Sequence, residues 1–148
     1  MMQGTFVHSL GRYLLVEMSG AKAKRIFFSQ ERPAETSELA EGIAAHLERG
    51  ASCPKAELDL SACTKFQKQI YALVQSIPRG NTWTYGEVAA RAGRPGAARA
   101  VGRAMATNPF AILVPCHRVV AKNGLGGYLW GKEMKEKLLR LERDSSAE

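Results

Sequence analysis

Two β-rich apolar runs lie near the start of the chain, at residues 12–18 and 23–28. Tyrosine, valine, isoleucine and phenylalanine are frequent in them, and these residue types favour strands. Ser19 and Gly20 separate the two runs, and this pair is typical of a tight turn. The pattern therefore predicts a hairpin of two strands.

The apolar residues that follow have the spacing of a helix. Leu39, Ile43 and Leu47 recur at every fourth position, so they lie on one helical face. Ser37 precedes them and is a residue type that begins helices, while a glycine follows the last of them. We therefore expect a helix over residues 38–48.

Three further helices are predicted in the second half of the chain, over residues 65–77, 85–92 and 96–106. Thr64 and Thr84 stand just before the first two and can cap them. Proline and glycine residues separate the three segments. The second and third helices, joined by a short glycine-containing turn, have the pattern of a helix-turn-helix.

The most informative segment is the pentapeptide Pro115-Cys116-His117-Arg118-Val119, which follows an apolar run at residues 111–114. We expect this run to be a buried strand that holds the thiol of Cys116 rigidly at its end. A neighbouring imidazole or cation lowers the pKa of a cysteine from about 8.5, and the thiolate then attacks carbon. A buried structural cysteine beside a chance histidine is the alternative.

These elements predict two parts of different fold class. Residues 1–63 combine short strands with one helix, so we expect a small α/β domain there. Its last part, residues 51–63, is a connector with a short strand candidate at 58–60. Residues 64–148 are mainly helical, and we expect them to form a second domain that carries the helix-turn-helix and the cysteine.

Composition is that of an ordinary globular protein. The chain has 148 residues, of which 45% are hydrophobic, so a real core is expected. Three cysteines are too few for a disulfide scaffold and fit a reducing compartment. The start of the chain lacks the features of a signal peptide, and no apolar stretch approaches the length of a membrane span. We expect a cytoplasmic protein without a membrane partner.

The net charge of +7 is unevenly distributed. Residues 1–63 carry seven Lys and Arg against eight Asp and Glu, a net charge of −1. Residues 64–148 carry fourteen against six, a net charge of +8. A basic domain beside a neutral one indicates a polyanionic partner, with nucleic acid first. A solvated basic face without a partner is the alternative.

The predicted helix over residues 96–106 has an unusual surface for a protein that reads bases. It presents alanines together with Arg99 and Arg103, and it lacks the Asn, Gln or Ser side chains expected for base reading in the major groove. Small residues let a helix approach the narrow minor groove, where an arginine can intrude into the duplex. An alanine-rich core helix is the alternative.

Several short motifs in fixed order resemble those of one known family. They are Thr84-Tyr85, Ala98-Arg99-Ala100-Val101-Gly102, Asn108-Pro109, Pro115-Cys116-His117-Arg118-Val119, Gly124, Gly127-Tyr128, Lys135, Leu138-Leu139 and Glu142. Taken together the chain resembles the O6-alkylguanine-DNA alkyltransferases, or methylated-DNA–protein-cysteine methyltransferases. The match is dense over residues 64–142 and only general over residues 1–63, where the family has a small α/β domain of ribonuclease H-like topology.

The resemblance implies a reaction and the residues that perform it. Cys116 would accept the alkyl group from O6-alkylguanine, and from O4-alkylthymine, once and irreversibly. His117 would act as its base through a water molecule, and Glu142 would orient the imidazole. Asn108 would bridge elements near the site, and Tyr85 would donate a proton or hydrogen bond to the departing guanine. No cofactor is implied, and the expected partner of this monomer is double-stranded DNA containing O6-alkylguanine.

The resemblance also implies a substrate pocket and a DNA-binding surface. Arg99 would fill the gap left when a winged-helix-like helix-turn-helix flips the nucleotide out through the minor groove. The carbonyls of Cys116 and Val119 would face the guanine amino group. The implied substrate-binding residues are Val119, Tyr128, Leu129, Trp130, Met134 and Lys135. The implied DNA-binding residues are Thr84, Ala98, Arg99, Ala100, Gly102 and Arg103.

In two respects the chain departs from the family. Some members bind a structural zinc ion in the N-terminal domain through Cys and His. Here Cys53, Cys63, His8 and His46 are scattered without a tight pair of ligands, so we expect no metal site. Trp83 stands where many members have a smaller residue, and the sequence assigns it no role.

Three other functions share some of these sequence features. A non-enzymatic alkyltransferase-like binder of DNA lesions lacks the reactive cysteine, so Cys116 in an intact Pro-Cys-His-Arg argues against it. A helix-turn-helix regulator is disfavoured by the poor base-reading surface of its second helix. A cysteine hydrolase is disfavoured because Cys116 and His117, as neighbours on an extended strand, would point to opposite faces.

Overall fold

The computed structural model describes residues 2–146, and the first half of the chain is a sheet covered by one helix. Helix α1 (Glu38–Arg49) packs on the first two strands. The sheet has the order β3-β2-β1-β4, in which the first three strands are antiparallel and β4 runs parallel to β1. The strands are β1 (Gln3–Val7), β2 (Arg12–Ser19), β3 (Lys22–Ser29) and β4 (Glu35–Thr36).

Strands β2 and β3 confirm the predicted hairpin, with Tyr13 opposite Ser29 and Ser19 opposite Lys22. Strands β1 and β4 were not predicted. Glycine weakens a strand pattern, and β1 contains Gly4. Here the glycine is required, because a Cβ atom at this position would lie 2.3 Å from the carbonyl oxygen of Leu14 on β2.

Helix α1 confirms the prediction over residues 38–48. The Ser37 side chain accepts a hydrogen bond of 3.1 Å from the backbone N–H of Ala40, which caps the helix. Gly50 follows the last turn with φ 71°, a left-handed conformation that glycine adopts without strain. Ile43 and Leu47 are fully buried in a hydrophobic cluster with side chains of the sheet.

The second half is mainly helical, and its three predicted helices are confirmed with shorter bounds. Thr64 and Thr84 cap the first two through reciprocal hydrogen bonds with side chains three residues later. A further helix near the end, α5, was not predicted. The elements are α2 (Lys65–Gln75), β5 (Trp83–Thr84), α3 (Tyr85–Arg91), α4 (Ala98–Ala106), a 3-10 turn (Cys116–Arg118), β6 (Val119–Val120) and α5 (Lys132–Ser146).

Two hydrophobic clusters meet at the segment that precedes the reactive cysteine. Ile112 and Leu113 pack into the cluster of the sheet and α1, whereas Phe110 and Val114 pack into the cluster of α2, α3 and α4. The segment also pairs with the sheet, since the N–H of Ile26 donates to the carbonyl of Pro109 at 2.8 Å. The position of the cysteine is therefore tied to both halves of the chain.

The expectation of a strand over residues 111–114 is wrong. The segment is a tight turn, in which the N–H of Val114 donates to the carbonyl of Phe110 at 2.9 Å. Ile112 has φ 71°, a strained conformation for a β-branched residue. Ile112 is buried in the first cluster, whereas Phe110 and Val114 at the two ends of the turn are buried in the second. The turn satisfies both clusters, and no local sequence pattern indicates such a tertiary requirement.

The connector contributes one bridge to the sheet rather than a strand over residues 58–60. Ala23 donates to the carbonyl of Glu57 and accepts from the N–H of Asp59, both at 2.8 Å, so that only Leu58 pairs with β3. Among the helices described within residues 2–146, none combines the length and apolar character needed to cross a bilayer.

Candidate active site

Cys116 lies on the floor of a cavity of about 590 Å³ and is 4% exposed. Part of its lining comes from the last two turns of α4, and another part comes from the loop that follows β6. Leu129 stands at the rim and is 55% exposed. The lining residues are Tyr85, Gly102, Met105, Ala106, Cys116, Gly127, Tyr128 and Leu129. This mostly apolar cavity has the size of a small-molecule site.

The backbone around Cys116 is held by short hydrogen bonds. The N–H of Cys116 donates to the carbonyl of Val114 at 2.7 Å, and the N–H of Arg118 donates to the carbonyl of Pro115 at 2.9 Å. The buried Asn108 side chain donates to Val114 at 2.9 Å and accepts from the N–H of Phe110 at 2.9 Å. Asn108 therefore bridges the two ends of the turn that leads to the cysteine.

Cys116 and His117 lie in a 3-10 turn and not at the end of a strand. The argument that neighbouring side chains on a strand point to opposite faces does not apply to this backbone. Both residues are buried within the turn, and the turn returns to extended backbone at Val119.

Burial raises the pKa of the Cys116 thiol, while a contact with Asn108 and the positive charge of Lys135 act in the opposite direction. This result contradicts the expectation of a lowered pKa, because the apolar cavity disfavours the thiolate more than its neighbours favour it. The resting cysteine is thus protonated at neutral pH and needs a base before it can act as a nucleophile.

Behind the cysteine, one buried carboxylate interacts with two basic side chains. Nε and Nη2 of Arg118 donate to Oε1 and Oε2 of Glu142 at 2.9 and 2.6 Å, and Nη1 donates to the carbonyl of Ile77 at 2.8 Å. Nε2 of His117 lies 3.0 Å from Oε2 of Glu142. Burial would raise the pKa of Glu142, but the close contact with the His117 ring and the hydrogen bonds and charge of Arg118 lower it to about 2.

These contacts determine which nitrogen of His117 carries the proton. Burial lowers the pKa of His117 and outweighs the opposing effect of Glu142, so the ring is neutral at pH 7. The contact with Glu142 is short but lacks the alignment of a regular hydrogen bond, and neither ring nitrogen makes one within the described part of the chain. An ionised carboxylate accepts only, so the proton belongs on Nε2 and Nδ1 is left as an acceptor.

Lys135 connects β6 to the loop that lines the cavity. Its buried Nζ donates to the carbonyl of Val119 at 2.7 Å and to the carbonyl of Gly127 at 3.0 Å, and it lies 5.9 Å from the ring centre of Tyr85. Burial lowers the pKa of Lys135 to about 8. The Val119 carbonyl, expected to face the guanine amino group, is thus already an acceptor for Lys135.

Tyr85 reaches over the loop from the start of α3. A Cβ atom on Gly126 would lie 2.7 Å from the hydroxyl of Tyr85, and Gly126 has φ 74°, so only glycine fits between them. Burial raises the pKa of Tyr85, which keeps its hydroxyl protonated and able to donate.

Of the six residues expected in the substrate pocket, Tyr128 and Leu129 line the cavity, and Val119 and Lys135 lie behind its lining as described above. The other two lie elsewhere. Trp130 packs edge-to-face on Phe28 of β3 and on Tyr128, with ring centres 5.3 and 5.5 Å away. Met134 is buried in the cluster of the sheet and α1. Neither lines the cavity around Cys116. Their apolar character suited a pocket wall as well as a core, and sequence alone did not separate the two.

The residues expected to bind DNA divide into exposed and structural positions. Arg99 and Arg103 are exposed on α4, four positions apart, while Ala98 and Ala100 beside them are half-buried. Gly102 lines the cavity instead. Thr84 caps α3 by accepting from the N–H of Glu87 at 3.1 Å.

Sequence reasoning missed the arginines around the site. The motif that contains Arg118 gives it no role of its own, although a charge inside a buried run needs a partner. The guanidinium of Arg91 lies 4.0 Å from the ring centre of Trp83, which gives that tryptophan a cation–π contact. Within residues 2–146, no three His, Cys, Asp or Glu side chains are close enough together to hold a metal ion.

Comparison with known proteins identifies a family. Residues 65–144 match the model of the DNA binding domain of 6-O-methylguanine DNA methyltransferase. The chain is 48% identical over 86 residues to the methylated-DNA--protein-cysteine methyltransferase of Methanothermobacter thermautotrophicus, covering 57% of this chain and 48% of that protein. It is 52% identical over 91 residues to that of Mycolicibacterium paratuberculosis, covering 61% and 54%. The matched segment thus spans about half the length of these curated relatives.

Solved structures extend the similarity to nearly the whole chain. The crystal structure of Mycobacterium tuberculosis OGT in complex with DNA matches with a TM-score of 0.85 and 33% identity, covering 97% of this chain and 93% of that one. The O6-methylguanine-DNA methyltransferase from Pyrococcus kodakaraensis matches with a TM-score of 0.79 and 28% identity, covering 95% and 97%. The α/β fold of this chain is therefore that of the OGT structures.

The buried carboxylate predicts an acid-dependent loss of stability. Because the pKa of Glu142 is lowered in the folded state to about 2, its ionised form stabilises the fold above its ordinary pKa of 4.5. That contribution, on the order of 3 kcal/mol, is lost as the pH falls through this range. Glu142→Gln should abolish this part of the pH dependence, measured by urea unfolding between about pH 3 and about pH 7.

The same variant should also lower the free energy of unfolding at pH 7 by about 3–5 kcal/mol, because Arg118 would be left as a buried charge without its carboxylate. Glu136→Gln is the matched control, since Glu136 is on the same helix and forms an exposed pair of 2.9 Å with Arg140. This control should change the free energy by less than about 1 kcal/mol. Equal effects of the two substitutions would contradict the stabilising role of the buried cluster.

Proposed function

Because the chain belongs to the 6-O-methylguanine DNA methyltransferase family, we propose that it repairs DNA by transferring an alkyl group from O6 of guanine to its own Cys116. The observation that carries this proposal is the cysteine that lines an apolar cavity of about 590 Å³, with His117 next to it in the 3-10 turn and Glu142 3.0 Å from the His117 ring. Such a cavity suits a flipped-out base, whose target atom is inaccessible within the duplex.

The proposed reaction is a displacement at the alkyl carbon. The sulfur of Cys116 forms a bond to that carbon as the bond from the carbon to O6 breaks. The thiol proton passes to Nδ1 of His117, through a water molecule, and Glu142 stabilises the imidazolium that results. Guanine leaves as a neutral base, so one proton moves from sulfur to guanine overall. The thioether has no easy reversal, and each chain therefore acts once.

Other residues of the site hold and activate the base. Tyr85, whose raised pKa keeps it protonated, donates to guanine as negative charge develops on it. Tyr128 and Leu129 cover the apolar faces of the base and its alkyl group. Asn108 holds the cysteine turn, and Lys135 holds the Val119 carbonyl. O4-alkylthymine presents a similar alkylated exocyclic oxygen and is a second substrate.

DNA binding is assigned to the second half of the chain. Its net charge of +8 favours a polyanion, and affinity that depends on phosphate contacts should be largely independent of sequence. α3 and α4 serve as a winged-helix-like helix-turn-helix in the minor groove, with exposed Arg99 filling the vacated stack. Mycobacterium tuberculosis OGT, which has the same fold, has been crystallised in complex with DNA. The partner is double-stranded DNA containing O6-alkylguanine, bound by a monomer.

The finer architecture belongs to the same proposal. Residues 1–63 form a ribonuclease H-like domain and residues 64–148 the DNA-binding and alkyl-accepting domain. The two hydrophobic clusters support this division, although Ile112, Leu113 and Met134 of the second part complete the first cluster. The free Cys116 thiol is suited to a reducing compartment, which supports a cytoplasmic location.

The first prediction of this function is stoichiometric transfer to one cysteine. After reaction with duplex DNA containing O6-methylguanine, the intact mass should rise by one methylene group, and a second equivalent of DNA should remain unrepaired. Cys116→Ser should bind the same DNA without any change of mass. Cys63→Ser is the matched control, because Cys63 is only partly buried and lies away from the cavity lining, and it should react as the wild type does.

This experiment also separates the alternative function. A non-enzymatic binder of DNA lesions would retain the DNA and never change in mass. Modification that persists in Cys116→Ser, or repeated turnover by the wild type, would contradict the proposed mechanism.

The second prediction concerns base flipping by Arg99. Filling the vacated stack matters for a paired duplex and not for a free base, which needs no unstacking. Arg99→Ala should therefore slow repair of duplex DNA by about tenfold or more while leaving the reaction with free O6-benzylguanine within about twofold. Single-turnover rates on the two substrates provide the measurement.

Arg103→Ala is the control, since Arg103 is exposed one turn later on the same helix. It should weaken DNA binding at low salt without changing the ratio of the two single-turnover rates. If Arg99→Ala slows both substrates equally, Arg99 shapes the thiol site and does not fill the stack.

A further inference from the structure

Arg79 lies in the turn between α2 and β5 and joins two helices from different halves of the chain. Its Nη1 donates to the carbonyl of His46 at 2.7 Å. Its Nη2 lies 3.3 Å from the carbonyls of both Leu47 and Leu141 and donates to them. The first two carbonyls belong to the last turn of α1, and the third belongs to α5.

These acceptors explain why a cation is suited to this position. The carbonyls of the last helical turn have no partners within the helix, and they form the negative end of the helix dipole. A guanidinium presents several donors in one plane, so it can bind acceptors from two helices at the same time. Arg79 therefore fixes the end of α1 against α5.

The segment that carries Arg79 also contacts the buried cluster behind the cysteine. Ile77, two residues earlier, accepts a hydrogen bond from Arg118, and Leu141 directly precedes Glu142. Ile77 thus binds the guanidinium of Arg118, which is a partner of Glu142. Arg79 binds the backbone carbonyl next to Glu142 itself. Arg79 and Arg118 also line one small cavity of about 240 Å³ with His46 and Cys53.

We propose that Arg79 is a positioning residue for the reaction, which keeps the Glu142 carboxylate against His117 by holding α5 at Leu141. This inference rests on the proposed function, in which His117 accepts the thiol proton. It also gives the first half of the chain a part in the chemistry, because α1 supplies two of the carbonyls that hold Arg79.

Several titratable or charged groups face the His117–Glu142 pair, and the effect of Arg79 must be separated from theirs. They come from α1, the connector, the turn after α2, the 3-10 turn, the loop before α5, and α5 itself. They are His46, Cys53, Arg79, Cys116, Arg118, Tyr128 and Lys135. A neutral residue at position 79 removes one of these charges, which also acts on His46 and Cys53. A lysine there keeps the charge, so comparing the two substitutions separates the electrostatic effect of Arg79 from the geometry that it maintains.

The experiment uses the full chain and two substitutions of graded severity. Arg79→Met keeps the length of the side chain but removes its charge and donors, whereas Arg79→Lys keeps the charge and can still donate to a carbonyl. Arg140→Met is the matched control, because Arg140 is an exposed arginine on α5 itself, one position before Leu141. The rate of Cys116 alkylation by iodoacetamide is measured from about pH 6 to about pH 10, with peptide mass spectrometry to separate the three cysteines.

In Arg79→Met the rate at pH 7 should fall by about tenfold, because a displaced carboxylate leaves His117 a weaker base. The difference should narrow as the pH rises toward the raised pKa of the thiol, because hydroxide ions then compete with His117 for the thiol proton. Arg79→Lys should recover part of the rate at pH 7, and Arg140→Met should follow the wild type. A profile of Arg79→Met that superimposes on the wild type, or is lowered equally at every pH, would overturn the inference.

A parallel reaction with O6-methylguanine duplex distinguishes this failure from failure of the proposed function. If the wild type takes no methyl group from the duplex, the proposed function is wrong whatever Arg79 does. If the wild type is methylated and Arg79→Met has the wild-type pH profile, only the positioning role is wrong. Thermal unfolding of each variant confirms that rates are compared on folded protein.

Discussion

The structure depends above all on the buried carboxylate of Glu142. A carboxylate with no exposed side-chain surface is tolerated only when charged partners replace water, and here Arg118 and His117 do so at 2.6 to 3.0 Å. Both partners lie in the 3-10 turn next to Cys116, so α5 must dock on that turn for the chain to fold. The arrangement that satisfies the buried charge is therefore the same one that places an imidazole beside the thiol.

The cavity imposes a second constraint, which opposes the first. An apolar cavity can hold a base, but it raises the pKa of the thiol and keeps it protonated. Reactivity must then come from a base that accepts the proton only when substrate is present. A neutral His117, oriented by Glu142 and shielded from bulk solvent, meets this requirement without a permanently ionised cysteine. The positive charge of Lys135 and the contact with Asn108 moderate the cost of forming the thiolate.

Much of the fold could be predicted from the sequence, because it depends on local patterns. The hairpin of β2 and β3, helix α1 and the helices capped by Thr64 and Thr84 follow from spacing and capping residues. The turn at residues 111–114 could not be predicted, because it depends on tertiary packing. Ile112 packs in one hydrophobic cluster and Val114 packs in the other. The roles of Cys116, His117 and Glu142 were predicted from the resemblance of their motifs to those of the family. The contacts of Arg118 with Glu142 and of Arg79 with Leu141 join residues 24 and 62 positions apart, which no local pattern reveals.

The most direct test of this account is the protonation state of His117. Nitrogen-15 NMR of the labelled chain reports the two ring nitrogens separately, and His117→Gln assigns the signals among the three histidines. The account predicts a neutral ring at pH 7 with the proton on Nε2, facing Glu142, and an unprotonated Nδ1 that can accept a proton. A proton on Nδ1, or an imidazolium at that pH, would contradict it, because His117 could not then act as the base for Cys116.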